Sequence, residues 1–510
     1  MEISIICNGG KSMEEVLSIL SSITQPIDEL TIINTPITDY TFHDLSVRKL
    51  RLNGNNLEKI HEAAFAGPLL DSIIALDISD NKLHTTIQPG ISALRNLQIL
   101  NLSNNSIISL PPNAFSKYQS RFSLKELDLS VNQLTEISSH AFSGLEMLQL
   151  LALTENTLKL IPSDALKALP TLESLLLSAN QFEFVPADAL PLPNLKSISL
   201  EFVQISKISV DAFRQNPQLS SIYLNSNQLS HIAPQLFRPV PQLRILNMGS
   251  NELLTTIANN SKYVGYVLMS PSFNPPGINL ILAFQYLKEL MRLDLSDCKI
   301  ETVENSAFQQ LQQLKIINLR GNRLKKYNFC FKKIYIIRDV LSVNHNPWTC
   351  DQGLKWLQKW LKEDESIHIT APGYPPAKCQ EPPSLRGNDI RNVILLGSSS
   401  VSSSSAFANS NTTARSKNNY VEQVSWQITL QPIKPKFPKN SPGSVSDGNW
   451  EKFKNKQYLS KITVWDTTGV PFDSMLFATP SNTDPGTDDD VKEQTKATTV
   501  IVVICESFIC

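Results

Sequence analysis

The apolar residues of this chain follow a long repeating pattern. Residues 97–107 contain the skeleton L-x-x-L-x-L-x-x-N-x-L, which returns about every 24 residues over most of the N-terminal two thirds. It begins again at Leu124, Leu148, Leu172, Leu195, Leu219, Leu243, Leu290 and Leu314. Within L-x-L, the period of two predicts a short strand with inward leucines and outward intervening residues. Because one repeat is too small to bury its own apolar side, the repeats must stack into a solenoid.

An asparagine occupies a fixed place three positions after the second strand leucine. A side-chain amide there satisfies backbone groups that a turn leaves unpaired, so we expect a ladder of asparagines. Thr35 and Cys298 stand in the same slot and still offer a hydrogen-bonding group, whereas Val203 does not, so we predict a local water or a distorted turn there. The predicted ladder is Asn55, Asn81, Asn105, Asn132, Asn156, Asn180, Asn227, Asn251, Cys298, Asn322 and Asn346.

The second half of most repeats carries an aromatic residue at a constant position. Phe115, Phe142, Phe213, Phe237 and Phe308 recur at the repeat period, which predicts a packed spine and not a ligand site. The pattern fails near residues 255–285, where two consecutive prolines exclude a regular strand or helix. We interpret this stretch as a protruding loop, either a binding loop or translated noncoding sequence.

The array ends in motifs that carry a specific resemblance. Residues 346–351 read N-P-W-T-C-D, an amphipathic segment with Trp356 and Trp360 follows, and residues 379–387 fit C-x-x-P-x-x-L-R-G. These motifs resemble the C-terminal cap of extracellular leucine-rich repeat proteins, and the chain is similar to invertebrate cell-surface and matrix members of that family. Over residues 7–395 the resemblance implies an α/β solenoid, a horseshoe with a parallel β-sheet on its concave face.

The family's cap usually has four cysteines in two disulfides. This chain has Gln352 in place of the second cysteine and none near residues 396–397, so the resemblance implies one bridge, Cys350 to Cys379. No C-x-x-C pair or nearby histidine cluster favours a metal site instead. Cys7 resembles the last cysteine of the matching N-terminal cap, whose partners would lie upstream of Met1.

A disulfide-bearing cap indicates an extracellular or cell-surface protein. Four N-x-S/T sequons, at Asn101, Asn104, Asn259 and Asn411, agree with that location. The first residues show no signal peptide. We interpret the sequence as lacking its first exon, and the alternative is a cytosolic protein.

The pattern divides the chain into five segments. They are a partial N-terminal cap (1–26), 12–13 repeats (27–346), the cysteine-flanked cap (347–395), a Ser/Pro/charged stalk (396–497) and an apolar tail (498–510). The stalk's composition predicts disorder. The tail is shorter than the roughly 20 apolar residues of a membrane span, so it is either a truncated span or simply hydrophobic.

Composition narrows the possible functions. Lysine plus arginine number 46 and aspartate plus glutamate 47, which gives no electrostatic sign of nucleic-acid binding. No phosphate-binding loop, zinc-protease motif, nucleophile elbow or kinase signature appears, so we predict neither an enzyme nor a bound cofactor or metal.

The outward strand positions are the expected binding surface. Lys49 and Arg51 begin it, and an acidic segment suited to a basic partner follows: Asp77, Asp80, Glu126, Asp128 and Glu155. Leu150, Leu176, Phe202 and Tyr223 then make it apolar and offer an interface anchor, although scattered exposed apolar residues explain them equally well. Arg292, Asp294 and Arg320 end it with mixed charge.

Three functions remain. The first is a non-enzymatic surface or matrix protein that binds a protein ligand through the concave face, in adhesion, matrix organisation or ligand recognition. The second is a receptor whose signalling domain is missing from this chain. The third is an intracellular scaffold, which would need no caps, sequons or span.

Overall fold

The computed structural model describes residues 3–37, 45–251, 256–257, 284–325, 340–363 and 376–395, apart from 11, 21–22, 24, 230–231, 234, 304–307 and 309. The predicted stalk and apolar tail lie outside these residues, as does most of 255–285.

The repeats form one parallel sheet, which contains fourteen strands in the described part of the chain. Its strands, in spatial and chain order, are Ser4–Asn8, Ile27–Ile33, Val47–Arg51, Ala75–Asp77, Ile99–Asn101, Glu126–Asp128, Leu150–Ala152, Ser174–Leu176, Ser197–Ser199, Ser221–Tyr223, Ile245–Asn247, Arg292–Asp294, Ile316–Asn318 and Val340–Ser342. Equivalent residues pair, so the inward leucines Leu127, Leu151 and Leu175 stack in one fully buried row. This stacking is how short repeats build a continuous core.

The sheet continues across the interrupted repeat. Ile245 pairs with Arg292 and Asn247 with Asp294, so the strands on either side of the interruption are direct neighbours. The extra residues therefore add no strand between them. Thr256–Ile257, inside the interruption, pairs instead with Thr302–Val303 in a separate small sheet.

Short elements connect the strands on the other side of the solenoid. Further pairs are Ser109–Leu110 with Glu136–Ile137, Phe184–Val185 with Lys207–Ile208, and Trp348–Thr349 with Cys379–Glu381. The helices are Met13–Leu20, Leu69–Ser72, Pro89–Ser92, Ser163–Leu166 and Lys355–Glu363, with 3₁₀ turns at Gln119–Phe122, Gln352–Leu354 and Pro383–Leu385. The repeating phenylalanines are buried beneath these connections, and the rings of Phe115 and Phe142 lie 6.3 Å apart.

The asparagines tie each turn to the preceding repeat. The Nδ2 group of Asn180 donates to the carbonyls of Leu153 (2.9 Å) and Leu177 (2.9 Å), and its Oδ1 accepts the N–H of Leu158 at 3.1 Å. The residue before the asparagine has a positive φ, as at Ala179 (52°). This left-handed turn lets the asparagine side chain point into the solenoid.

The three exceptions behave differently from one another. The Cys298 Sγ lies 3.3 Å from the carbonyl oxygen of Met248 and 3.2 Å from that of Ser296, positions that an asparagine amide contacts, so its single S–H can donate to either. Thr35 donates through Oγ1 to Ile33 at 3.1 Å. Val203 has no such group, and its turn carries a second left-handed residue, Gln204, with φ of 74°. Asn56 and Lys299, which follow Asn55 and Cys298, are left-handed as well, so this feature does not distinguish the turn without an amide.

The C-terminal cap is closed by one disulfide and by hydrogen bonds from glutamine side-chain amides. Cys350 and Cys379 are bridged, with their Cα atoms 5.6 Å apart. Gln352, in the place of the family's second cysteine, donates from Nε2 to the carbonyl of Leu395 at 2.6 Å. Gln358 binds the same segment through the carbonyl of Val393, also at 2.6 Å. Hydrogen bonds thus hold the segment where the second disulfide would be expected.

Candidate protein-binding surface

The parallel register arranges the concave residues in four rows. In each repeat from the strand Ala75–Asp77 to the strand Ile245–Asn247, the first and third strand residues form the first and second rows. The outward residue two positions after the strand ends forms the third row, and the left-handed turn residue that follows it forms the fourth. Among these positions no lysine or arginine occurs. The acidic residues among them are Asp77, Asp80, Glu126, Asp128, Glu155 and Glu201. Every charged residue in these rows is therefore acidic.

Two of the predicted acidic contacts serve the fold. Asp77 accepts the N–H of Ser79 at 3.0 Å, and Asp128 accepts the N–H of Ser130 at 2.8 Å. They are only 7% and 9% exposed, respectively. These are turns in which an Asp side chain binds the backbone two residues on. The exposed contacts that we expected at Asp77 and Asp128 thus give way to a structural role.

Glu126 keeps an accessible carboxyl in an apolar setting. Its register neighbours are Ile99 and Leu150, and loss of hydration there raises the pKa of Glu126 to about 7, against a smaller lowering by Lys125. Burial also raises the pKa of Glu155, in the next repeat. The face therefore contains carboxylates that are poorly solvated and favour an incoming cation.

The raised pKa of Glu126 makes a stability prediction. In the unfolded chain this carboxyl ionises near pH 4.5, but in the folded protein it ionises near pH 7, so stability falls as the pH rises between those values and stays lower above them. Glu126→Gln removes the ionisation, so its free energy of unfolding should exceed that of the parent by about 1–2 kcal/mol at pH 8, after allowing for solvent screening. The gain should vanish at pH 4.

Urea unfolding at both pH values measures this difference. Glu136→Gln, at an exposed position on the flank of the same repeat, is the matched control. An equal gain for Glu126→Gln at pH 4 and pH 8 would show that the effect is unrelated to ionisation.

The four predicted apolar anchors do not form one row. Leu150 is a half-buried first-row residue, while Leu176 and Tyr223 belong to the second row and are separated by Ser199. Leu176 is 8% exposed, which differs from the accessible anchor that we expected. Phe202 is a turn residue with φ of 55° and is 42% exposed. Of the four predicted anchors, Leu150, Tyr223 and Phe202 are therefore accessible.

Sequence reasoning missed Glu201, which lies between these aromatic residues. It is 7% exposed, and burial raises the pKa of its carboxyl while hydrogen bonds from Ser199 and Asn225 lower it. Ser199 donates to its Oε2 at 3.2 Å, and Ser178 and Ser199 share a 2.5 Å hydrogen bond. The signal was a glutamate at a position that is serine, threonine, asparagine or glycine in the neighbouring repeats.

The predicted glycosylation sites differ in accessibility. Asn101 is buried, and its Oδ1 accepts the N–H of Ser103 at 2.9 Å. Asn104 is an exposed turn residue whose amide contacts Asp80. Asn259 and Asn411 lie outside the described residues. A glycan on the described face is thus compatible with the folded position of Asn104 alone.

The described residues contain no group of acidic, histidine and cysteine side chains arranged to bind a metal. Within the same residues, no helix has the length and apolarity needed to cross a membrane.

Comparison with known sequences agrees with the repeat geometry. The model of the leucine rich repeat family matches residues 45–107, 122–182, 193–253 and 282–328. The chain is a leucine-rich repeat protein.

Its leucine-rich repeats resemble parts of several relatives. Mouse Tsukushi is 35% identical over 99 residues, which are 19% of this chain and 27% of that protein. Human chondroadherin is 31% identical over 114 residues, 22% of this chain and 29% of the relative. The chain thus matches little more than a quarter of the length of these relatives, which are extracellular or cell-surface leucine-rich repeat proteins.

Solved leucine-rich repeat structures show the same fold. The repeat domain of FLRT2, solved in an octameric complex with Latrophilin 3 and Unc5D, aligns with a TM-score of 0.53 and 22% identity over 67% of this chain and 94% of that one. Toll from Drosophila, in complex with Spatzle, aligns with a TM-score of 0.51 and 19% identity over 72% of this chain and 51% of that one. At these identities the likeness concerns the fold alone.

Proposed function

We propose that this chain is a non-enzymatic leucine-rich repeat protein of the cell surface or extracellular matrix, where it binds a basic protein partner through its concave sheet and acts in adhesion, matrix organisation or ligand recognition. The carrying observation is the absence of lysine and arginine from the concave rows between Ala75 and Ser250, where six acidic residues lie, three of them accessible: Asp80, Glu126 and Glu155. A surface of one charge sign steers an oppositely charged partner and rejects like-charged ones.

The charge distribution favours the middle of the sheet over its ends. Towards the N-terminus, Arg51 pairs with Glu29 at 2.9 Å, and towards the C-terminus, Arg320 lies 3.7 Å from Asp297. These ends carry both charge signs, so they present no surface of a single sign. The anionic middle also carries Leu150, Tyr223 and Phe202, so it offers both steering charges and apolar area for an interface core.

An extracellular setting is supported by the cap and by the relatives. The Cys350–Cys379 bridge is stable in oxidising compartments and rare in the cytosol. The named FLRT2 and Toll structures contain protein ligands or partners, and the proposal extends protein binding to this chain.

Charge reversal on two faces of the same molecule tests the proposal. The full chain, fused to an oligomerising tag and a secretory leader, would be screened against an array of secreted and membrane ectodomains. The concave variant combines Asp80→Lys, Glu126→Lys and Glu155→Lys. The control variant has the same charge change at exposed flank positions, through Glu136→Lys, Glu146→Lys and Asp164→Lys.

We expect the concave variant to lose at least tenfold in affinity for its protein hits, while the flank variant stays within threefold of the parent. If both variants lost the same affinity, the concave face would not be the binding surface. A screen that yields no ectodomain hit would contradict protein recognition itself.

A further inference from the structure

Glu201 is a buried carboxylate whose surroundings supply only neutral partners. None of the ion pairs among the described residues includes it. Its Oε2 accepts from Ser199, and the Asn225 amide is its other side-chain donor. A carboxylate taken out of water without a cation is unfavourable, so the site as it stands lacks its complement.

The hydrogen-bond network fixes the position of this carboxylate. The backbone N–H of Glu201 donates to Ser178 Oγ at 3.1 Å, and that hydroxyl shares a 2.5 Å hydrogen bond with Ser199, which donates to Glu201. Ser178 and Ser199 are almost fully buried. Each hydroxyl has a defined donor and acceptor role, so the carboxylate is preorganised and does not sample many rotamers.

A second acceptor in the same place is unused. The Oδ1 atom of Asn225 is buried and has no hydrogen-bond partner in the described part of the chain, although its amide donates to Glu201. Buried amide oxygens in folded proteins are nearly always hydrogen bonded. Glu201 and Asn225 therefore present a carboxylate and a carbonyl side by side, and both require donors.

Short and aromatic side chains neighbour Glu201 along the sheet. In the second row, Ser199 has a short side chain and lies between Leu176 and Tyr223 on the adjacent strands. Phe202 follows Glu201 directly, so an aromatic residue stands on either side of Glu201 in the row pattern.

From these contacts we infer that Glu201, Asn225, Tyr223 and Phe202 form the anchor site for an arginine side chain of the protein partner. The inference rests on the proposed function and names the partner's chemistry. A guanidinium is planar, has five N–H donors and stacks on aromatic faces, so it matches two adjacent acceptors and the bordering rings. A lysine ammonium is a compact, strongly hydrated charge and matches them less well. Binding requires a side-chain rearrangement that exposes the buried carboxylate, a change of the size common at interfaces.

Two labelled peptides, nona-arginine and nona-lysine, probe the site on the full chain by fluorescence anisotropy at 0.15 M salt. We expect nona-arginine to bind the parent at least fivefold more tightly than nona-lysine. Glu201→Gln should weaken nona-arginine binding at least tenfold and bring the two affinities together. Gln keeps an acceptor for Ser199, so the fold is expected to persist, which circular dichroism and thermal melting verify.

Glu136→Gln is the matched control, since it removes one carboxylate at an exposed flank position outside the concave rows and should change both affinities less than threefold. Asn225→Ser, which removes the second acceptor, should reduce the preference for arginine while preserving binding of nona-lysine. Equal losses in Glu201→Gln and Glu136→Gln, or equal affinities of the parent for both peptides, would overturn the anchor site.

The outcomes separate this inference from the proposed function. If the concave triple variant loses nona-arginine binding and Glu201→Gln does not, the concave face still binds cations and only the anchor is refuted. If the concave triple variant also binds normally, the proposed function fails as well.

Discussion

Asn156→Leu is expected to lower the free energy of unfolding by about 3 kcal/mol, because leucine occupies the slot without replacing any of its hydrogen bonds. The Asn156 amide donates to the carbonyls of Leu129 (3.0 Å) and Leu153 (3.1 Å), and its Oδ1 accepts the N–H of Leu134 at 3.0 Å. All of these groups are buried. Without the amide, these backbone groups are buried and unpaired inside the solenoid, which lowers the free energy of unfolding more than the loss of an exposed hydrogen bond does.

Urea unfolding followed by far-ultraviolet circular dichroism measures the change. Asn194→Leu is the control, because Asn194 is exposed and makes one hydrogen bond, to the carbonyl of Pro170 at 2.9 Å. We expect that variant to lie within about 0.5 kcal/mol of the parent. If Asn156→Leu were no more destabilising than Asn194→Leu, the ladder would not contribute to stability.

The opposite substitution, which adds an amide to the ladder, can be made at Val203. Val203 already occupies a ladder slot without an amide, and Asn227 Oδ1 still accepts its N–H at 3.2 Å. Val203→Asn should therefore raise the free energy of unfolding by about 1 kcal/mol through the restored hydrogen bonds. A loss of stability instead would mean that the slot around Val203 cannot accommodate the amide.

Removal of the disulfide is the second large effect. The double variant Cys350→Ser, Cys379→Ser is expected to lose about 3–4 kcal/mol of cap stability, since the bridge closes a loop with a sequence separation of 29 and restricts the unfolded chain. Both cysteines are buried against the last repeats, so opening the bridge also exposes Trp348 and the end of the core.

Thermal melting monitored by tryptophan fluorescence, with and without a phosphine reductant, tests this effect. The parent should lose stability on reduction, whereas the double serine variant should not respond to the reductant at all. If the melting temperature of the parent were the same in both conditions, the hydrogen bonds of Gln352 and Gln358 would be sufficient to hold the cap without the bridge.

The sequence predicted the parts of the fold that depend on one residue at a time. The strand leucines, the asparagine slot and the phenylalanine spine all follow from the repeat period of the amino-acid sequence. Asp77 and Asp128 show where that reasoning ends. Their alternation marks them as outward, but their burial depends on side chains of the neighbouring repeats and on the turn that each closes.

A usable signal was nonetheless present. Aspartate or asparagine returns at the same outward position in Asn101, Asn247, Asp294 and Asn318, and each accepts the backbone N–H two residues later. A polar residue that recurs at the repeat period has a structural role for the same reason that the ladder asparagines do. Glu201 departs from such a period, and departures of that kind are where the candidate site lies.

The alkylation rate of Cys298 reports local opening of the solenoid. Its thiol replaces a ladder amide and is buried beneath the following repeat, and burial raises its pKa to about 12, so an alkylating reagent reaches a reactive thiolate only when neighbouring repeats separate. The rate at which iodoacetamide modifies the peptide containing Cys298 therefore reports how often the stack opens beyond Met248. The same rate, followed as a partner is added, would measure how strongly binding on the sheet restrains the breathing of repeats that the partner never touches.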